Sequence, residues 1–140
     1  MNPNEENIIN KDTAVTWTSA WRAQNPNGPN AFLIPAADFI EVLNEIGVLD
    51  NATAQQAQDR ANQLDAQIRG YLGIDGQTNK IIFVGTEKDN GGVYRDIIDG
   101  TIDGEEGKPA KTVGTSNTSS GIFDFSHPCP PTCDPDSPLS

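Results

Sequence analysis

Apolar residues in this chain come in short dense runs separated by glycine, proline and asparagine, a spacing that admits only short elements packed around one core. The densest run, Lys80-Ile81-Ile82-Phe83-Val84, reads as a central strand because no polar face interrupts it. Ala31-Phe32-Leu33-Ile34 is a second buried strand, and residues 70–74 a third. Asp75-Gly76-Gln77-Thr78-Asn79 joins the third to the first as a hairpin turn. Residues 93–99 fit a strand or a short helix equally well. Ile122-Phe123-Asp124-Phe125 alternates and predicts an edge strand.

Between these runs the apolar period changes from two to three and four. A helix is expected over 12–24, capped by Asp12 or Thr13, with Ala14, Trp17 and Trp21 on one face. Asn25-Pro26-Asn27-Gly28-Pro29-Asn30 stops it. Pro35 suits the first turn of a second helix, whose stripe is Phe39, Val42, Leu43 and Ile46, with Gly47 as its stop. Asn51 caps a third helix over 52–68, with Ala54, Ala57, Ala61, Leu64 and Ile68 at 3-4 spacing. The expectation is therefore an α+β domain of about three helices on three to four mainly antiparallel strands. Its core is expected to contain Trp21, Phe32, Ile34, Phe39, Leu43, Ile82 and Val84.

With 140 residues there is material for one domain. The hydrophobic share is 35%, low for a globular chain, and because apolar residues cluster, the shortfall belongs to polar ends. Residues 1–11 read as a flexible or docking arm, 12–125 as the domain with a polar loop near 100–121, and 126–140 as a tail. The net charge of −11, from 20 acids and 9 scattered bases, argues against nucleic acid or anionic membrane as partner. No apolar run reaches the 18 or so residues that cross a bilayer, and the polar start lacks the basic and apolar regions of a signal peptide. The expected compartment is the cytoplasm, taking Met1 as the start of an unprocessed chain.

The tail carries the chain's only histidine and both cysteines within His127-Pro128-Cys129-Pro130-Pro131-Thr132-Cys133-Asp134. His127, Cys129, Cys133 and Asp134 could ligate zinc, but a structural zinc site draws its ligands from two separated places. A disulfide is a second reading; the three-residue spacing differs from the redox C-x-x-C motif. The favoured reading is a rigid extended docking peptide whose cysteines act as small hydrophobes. Other signals resolve blandly. Asp99-Gly100-Thr101-Ile102-Asp103-Gly104 hints at a calcium loop, but the twelfth position would be Ala110, so a solvated acidic loop is the reading. Asp38, Glu41 and Glu45 form a solvated helix face. No nucleophile elbow, phosphate loop, dinucleotide fingerprint or zinc-protease motif occurs.

The run from Cys129 through Asp134-Pro135-Asp136-Ser137-Pro138-Leu139 resembles the tail of a family of small bacterial proteins of no known activity, which close on C-P-x-x-C-D and S-P-L. The likeness extends in order to Trp21-Arg22, Phe32-Leu33-Ile34-Pro35, Arg69-Gly70-Tyr71-Leu72-Gly73-Ile74 and Ile82-Phe83-Val84-Gly85. Ser140 and the polar insert near 100–121 depart from it. The resemblance implies an architecture and a tail, not a reaction.

These readings converge on a non-enzymatic structural or interaction protein that self-associates through its terminal arms, with no cofactor. Its expected contact residues are Ile8, Ile9, Ile122, Phe123, Phe125, Cys129, Cys133 and Leu139. The alternative is a small metal- or redox-linked binding module built on the His/Cys cluster. An enzyme ranks last.

Overall fold

The computed structural model describes residues 7–102, 120–124 and 126–139. Helix α1 spans Lys11–Gln24, and its cap is Asn10 rather than Asp12 or Thr13: the Asn10 side chain accepts the Thr13 N–H at 2.8 Å. Strand β1 is Ala31–Pro35, and α2, Ala36–Glu45, follows it directly. Helix α3, Asn51–Leu64, is capped by Asp50, which accepts the Thr53 N–H at 2.8 Å. It ends at Asp65 in the left-handed region, so Ile68 belongs to a strand. The 3-4 spacing ran past the true helix end because Ile68 falls by chance on the same period.

Strand β2 is Gln67–Asp75 and β3 is Thr78–Lys88, a hairpin longer than its apolar centre suggested. The undecided segment is strand β4, Tyr94–Ile98, and a two-residue turn leads to β5, Thr101–Ile102. Asp99 and Gly100 both have positive φ there (54° and 74°), as a type I′ turn requires, so the Asp-Gly pair is a hairpin signal. Strand β6 is Ile122–Phe123. All pairings are antiparallel: β1 to β5 are neighbours in sequence order, and β6 pairs with β3 at Phe83 and Val84, across from β2. The class is α+β, and among the described residues there are three helices and a sheet of six strands rather than three or four.

Side chains alternate across a sheet, and directly paired residues share a face. Tyr71, Ile82, Val84 and Ile122 therefore lie on one face, and α1 covers it. Ile82, Val84 and Ile122 form the buried cluster, with Ile9, Ala14, Trp17, Tyr71 and Ile98 packed around it. Gly73 lets the helix come close, since a Cβ there would sit 3.2 Å from that of Trp17. The opposite face carries Ile34, Ile68, Gly70 and Phe83. Helix α2 meets it through Phe39, whose ring stands edge-on to Phe83 with centroids 5.8 Å apart. Helices α2 and α3 pack on each other, and Asn44 ties them by donating to Leu49 O and Asn51 Oδ1 at 2.9 Å each.

Of the expected core, Ile82 and Val84 are buried, and Trp21, Ile34 and Phe39 are partly so. Phe32 and Leu43 are a correction, at 54% and 38% exposed. Strand β1 lies at the sheet's edge, and α2 touches the sheet mainly through Phe39, which leaves the rest of its stripe uncovered.

Candidate functional site

Three places in this fold concentrate polar or unburied groups. The first lies under α1. Arg69 and Tyr71 are alternate residues of β2 and so point to the same face, where Asp96 of β4 meets both. One Asp96 carboxylate oxygen accepts from Arg69 and the other from the Tyr71 hydroxyl. Arg69 also donates to Tyr94 O at 3.0 Å. Burial, with the hydrogen bond and charge of Asp96, raises the Tyr71 hydroxyl from 10.0 to about 12. Burial opposes the charge on Arg69, but Asp96 outweighs it and the guanidinium is held more firmly protonated than usual. A cavity of about 210 Å³ lies beside this cluster, with Lys11, Val15 and Arg22 of α1 along its helix side. The cluster ties β2 to β4: both carboxylate oxygens are engaged, and a phenol at about 12 holds its proton at neutral pH.

Sequence reasoning missed this cluster. The available signal was an acid beside two isoleucines in the short run Tyr94-Arg95-Asp96-Ile97-Ile98, together with a base and a phenol two apart in Arg69-Gly70-Tyr71.

The second place is the edge where the chain's two ends meet. Ile8 bridges Phe123, Ile9 N–H donates to Ile122 O at 3.1 Å, and Asp124 N–H donates to Asn7 O at 2.8 Å. Ser120 Oγ donates to Ile9 O at 2.6 Å. Lys80 pairs with Asp124 at 3.0 Å and lies 5.5 Å from the Trp17 ring centroid. Ser126 Oγ bonds both N–H and C=O of Ile81. Ile8, Ile9, Ile122 and Phe123 are thus seated on the chain's own sheet, with Ile122 only 1% exposed. Phe125 lies outside the described residues.

Beyond Ser126 the tail is a set of turns, not an extended peptide. Thr132 donates through N–H and Oγ1 to Pro128 O, and Asp136 and Ser137 donate back to Asp134. Cys129 and Cys133, favoured as small hydrophobes with a disulfide as the second reading, are joined to each other. The turn brings their Cα atoms to 4.7 Å, within the range a disulfide spans. Neither sulfur is then a thiolate, so the set His127, Cys129, Cys133 and Asp134 loses its soft ligands. Among the described residues no group of three or more His, Cys, Asp or Glu is placed to hold a metal ion. Leu139 is 95% exposed.

The third place is β1 and α2. Exposed apolar side chains concentrate there: Phe32 and Leu33 on the strand, Val42, Leu43 and Ile46 on or just past the helix, and Val48 beyond it. Residues 25–37 contain no Asp, Glu, Lys or Arg, in a chain that is 21% charged. Among the described residues strand β1 pairs on one side only, with β2. Among the described residues no helix is long and apolar enough to cross a membrane. Compared with models of protein families, with curated proteins and with solved structures, the chain matches none.

Proposed function

We propose that this is a non-enzymatic interaction protein that associates with copies of itself through β1 and α2. The observation that carries this reading is the exposure of Phe32 (54%) within a charge-free segment and of Val42 (57%) and Ile46 (65%) on or just past the helix that follows it. Clustered exposed apolar residues mark contact surfaces, and covering them returns about 25 cal/mol per Å². Two copies at −11 each repel, and that repulsion is weakest along β1 and its flanks, residues 25–37, which carry no charge, whereas α2 adds Asp38, Glu41 and Glu45. The engaged state of Asp96 and the firmly protonated Tyr71 support a structural role for this buried ionisable cluster. The terminal arms, the first candidates for self-association, are occupied at residues 7–9 and 120–124 by the chain's own sheet.

Sedimentation equilibrium over micromolar to millimolar concentration tests the reading. Mass should rise with concentration, and more readily at high salt, which screens the repulsion. A chain that stays at 15.0 kDa throughout is not self-associating, and the reading fails.

A further inference from the structure

We propose that the outer edge of β1 pairs antiparallel with β1 of a second copy, about a twofold axis through Phe32, so that two sheets become one. This rests on the self-association reading and adds its geometry. Leu72 N–H donates to Asn30 O at 2.9 Å and Ala36 N–H to Ala66 O at 2.9 Å, both on the β1–β2 register. In an antiparallel ladder the inward backbone groups alternate. Those of Asn30, Phe32, Ile34 and Ala36 therefore face β2, and those of Ala31 and Leu33 face outward at the open edge.

An edge of this kind is a template for another strand, and charges, lysine above all, are the usual guard against it. Here the guard is missing across residues 25–37. What remains is Pro35, and it selects the register. Its ring occupies the place of an outward N–H and would project into a facing strand. Centring the pair on Phe32 opposes Ala31 to the partner's Leu33, and Leu33 to the partner's Ala31, leaving Pro35 beyond the ladder. Both N–H groups and both carbonyls of each edge are then used. On one face the Phe32 rings meet across the axis at a non-hydrogen-bonded position, where side chains come closest. On the other face each Leu33 packs beside a small Ala31. The occupant is a second copy because the segment is its own complement: donors meet acceptors, large meets small, and no charge is stranded. The twofold also sets both α2 helices on one side of the joined sheet, with the exposed Val42 and Ile46 of each and also the acidic Asp38, Glu41 and Glu45, whose repulsion salt screens.

Two variants and a cross-link test this in the full chain. Leu33→Pro removes an N–H that β2 does not use, so the melting temperature should move by only a few degrees. The dimer loses two hydrogen bonds and gains two intruding rings, so its dissociation constant should rise about tenfold or more. Separately, Phe32→Cys and Leu33→Cys are each made with Cys129 and Cys133 replaced by serine. Under mild oxidation Phe32→Cys should cross-link readily. Leu33→Cys should not, because its self-distance is roughly 8 Å from strand rise and spacing. Cross-linking through Leu33→Cys in preference, or a Leu33→Pro variant that folds and associates like the parent, overturns the proposal while leaving self-association standing. A parent chain monomeric throughout removes both.

Discussion

The two outer edges of the sheet are finished in opposite ways. At the β6 edge the chain closes on itself: residues 7–9 and 120–124 exchange backbone hydrogen bonds, and Ile122 is buried to 1%. At the β1 edge no described residue pairs further, and Phe32 and Leu33 stand 54% and 42% exposed. Both segments are apolar runs of similar strand propensity, so composition does not separate them. What separates them is availability. Ile122 comes at the end of the domain, when the N-terminal arm is free to lie beside it. Strand β1 is committed early between α1 and α2, and no further segment among the described residues reaches its outer side. An apolar strand is therefore a core element or a contact surface according to what the chain has left to cover it.

The sharpest way to break this comparison is truncation on each side. Ile82→Ala and Ile122→Ala should each cost about 2–5 kcal/mol in urea unfolding, because each leaves a cavity in a close-packed cluster. Phe32→Ala should cost about 1 kcal/mol or less in the monomer, as exposed substitutions do. Equal losses at Phe32 and Ile82 would mean that the β1 edge is covered, and the contrast would collapse.

A smaller effect is expected beneath α1. Arg69→Met leaves the Asp96 carboxylate, 7% exposed, with the Tyr71 hydroxyl as its remaining donor in the cluster, at a cost of about 2–3 kcal/mol. Asp96→Asn combined with Arg69→Met should lose less than the two single costs added together. Strict additivity would show that the pair is not coupled.

The smallest effect is one of pH. Tyr71 is raised from 10.0 to about 12, so between those values the folded chain holds a proton that the unfolded chain has released. Stability should therefore fall as pH rises through that window and be insensitive to this group below it. Tyr71→Phe should flatten the slope. Tyr94 is also raised, by its hydrogen bond to Asp65, so Tyr94→Phe serves as the comparison. An unchanged slope in Tyr71→Phe would detach the effect from the cluster.

Much of the fold was legible because local chemistry and tertiary need agreed. The Lys80–Val84 run is the centre of β3, the Trp17 face of α1 does meet the sheet, and the turn residues at 75–79 mark a true hairpin, whereas Asp99-Gly100, read as the start of a solvated acidic loop, is the turn between β4 and β5. Where the two parted, reading failed. Capping moved by one to three residues, to Asn10 and Asp50, because several neighbouring side chains carry the same oxygen acceptor. Ile68 changed element because a helical period and a strand position coincide there. The cluster of Arg69, Tyr71 and Asp96 was invisible because its partners lie 25 to 27 residues apart and only sheet register unites them.

By itself the sequence determined the class of the chain, its three helices and the strand at its centre, since periodicity and turn chemistry act between near neighbours. Only the tertiary structure decided which apolar runs are buried. Burial depends on which segments, distant in sequence, arrive to cover a surface: the chain's two ends reach one edge of the sheet, and among the described residues nothing reaches the other.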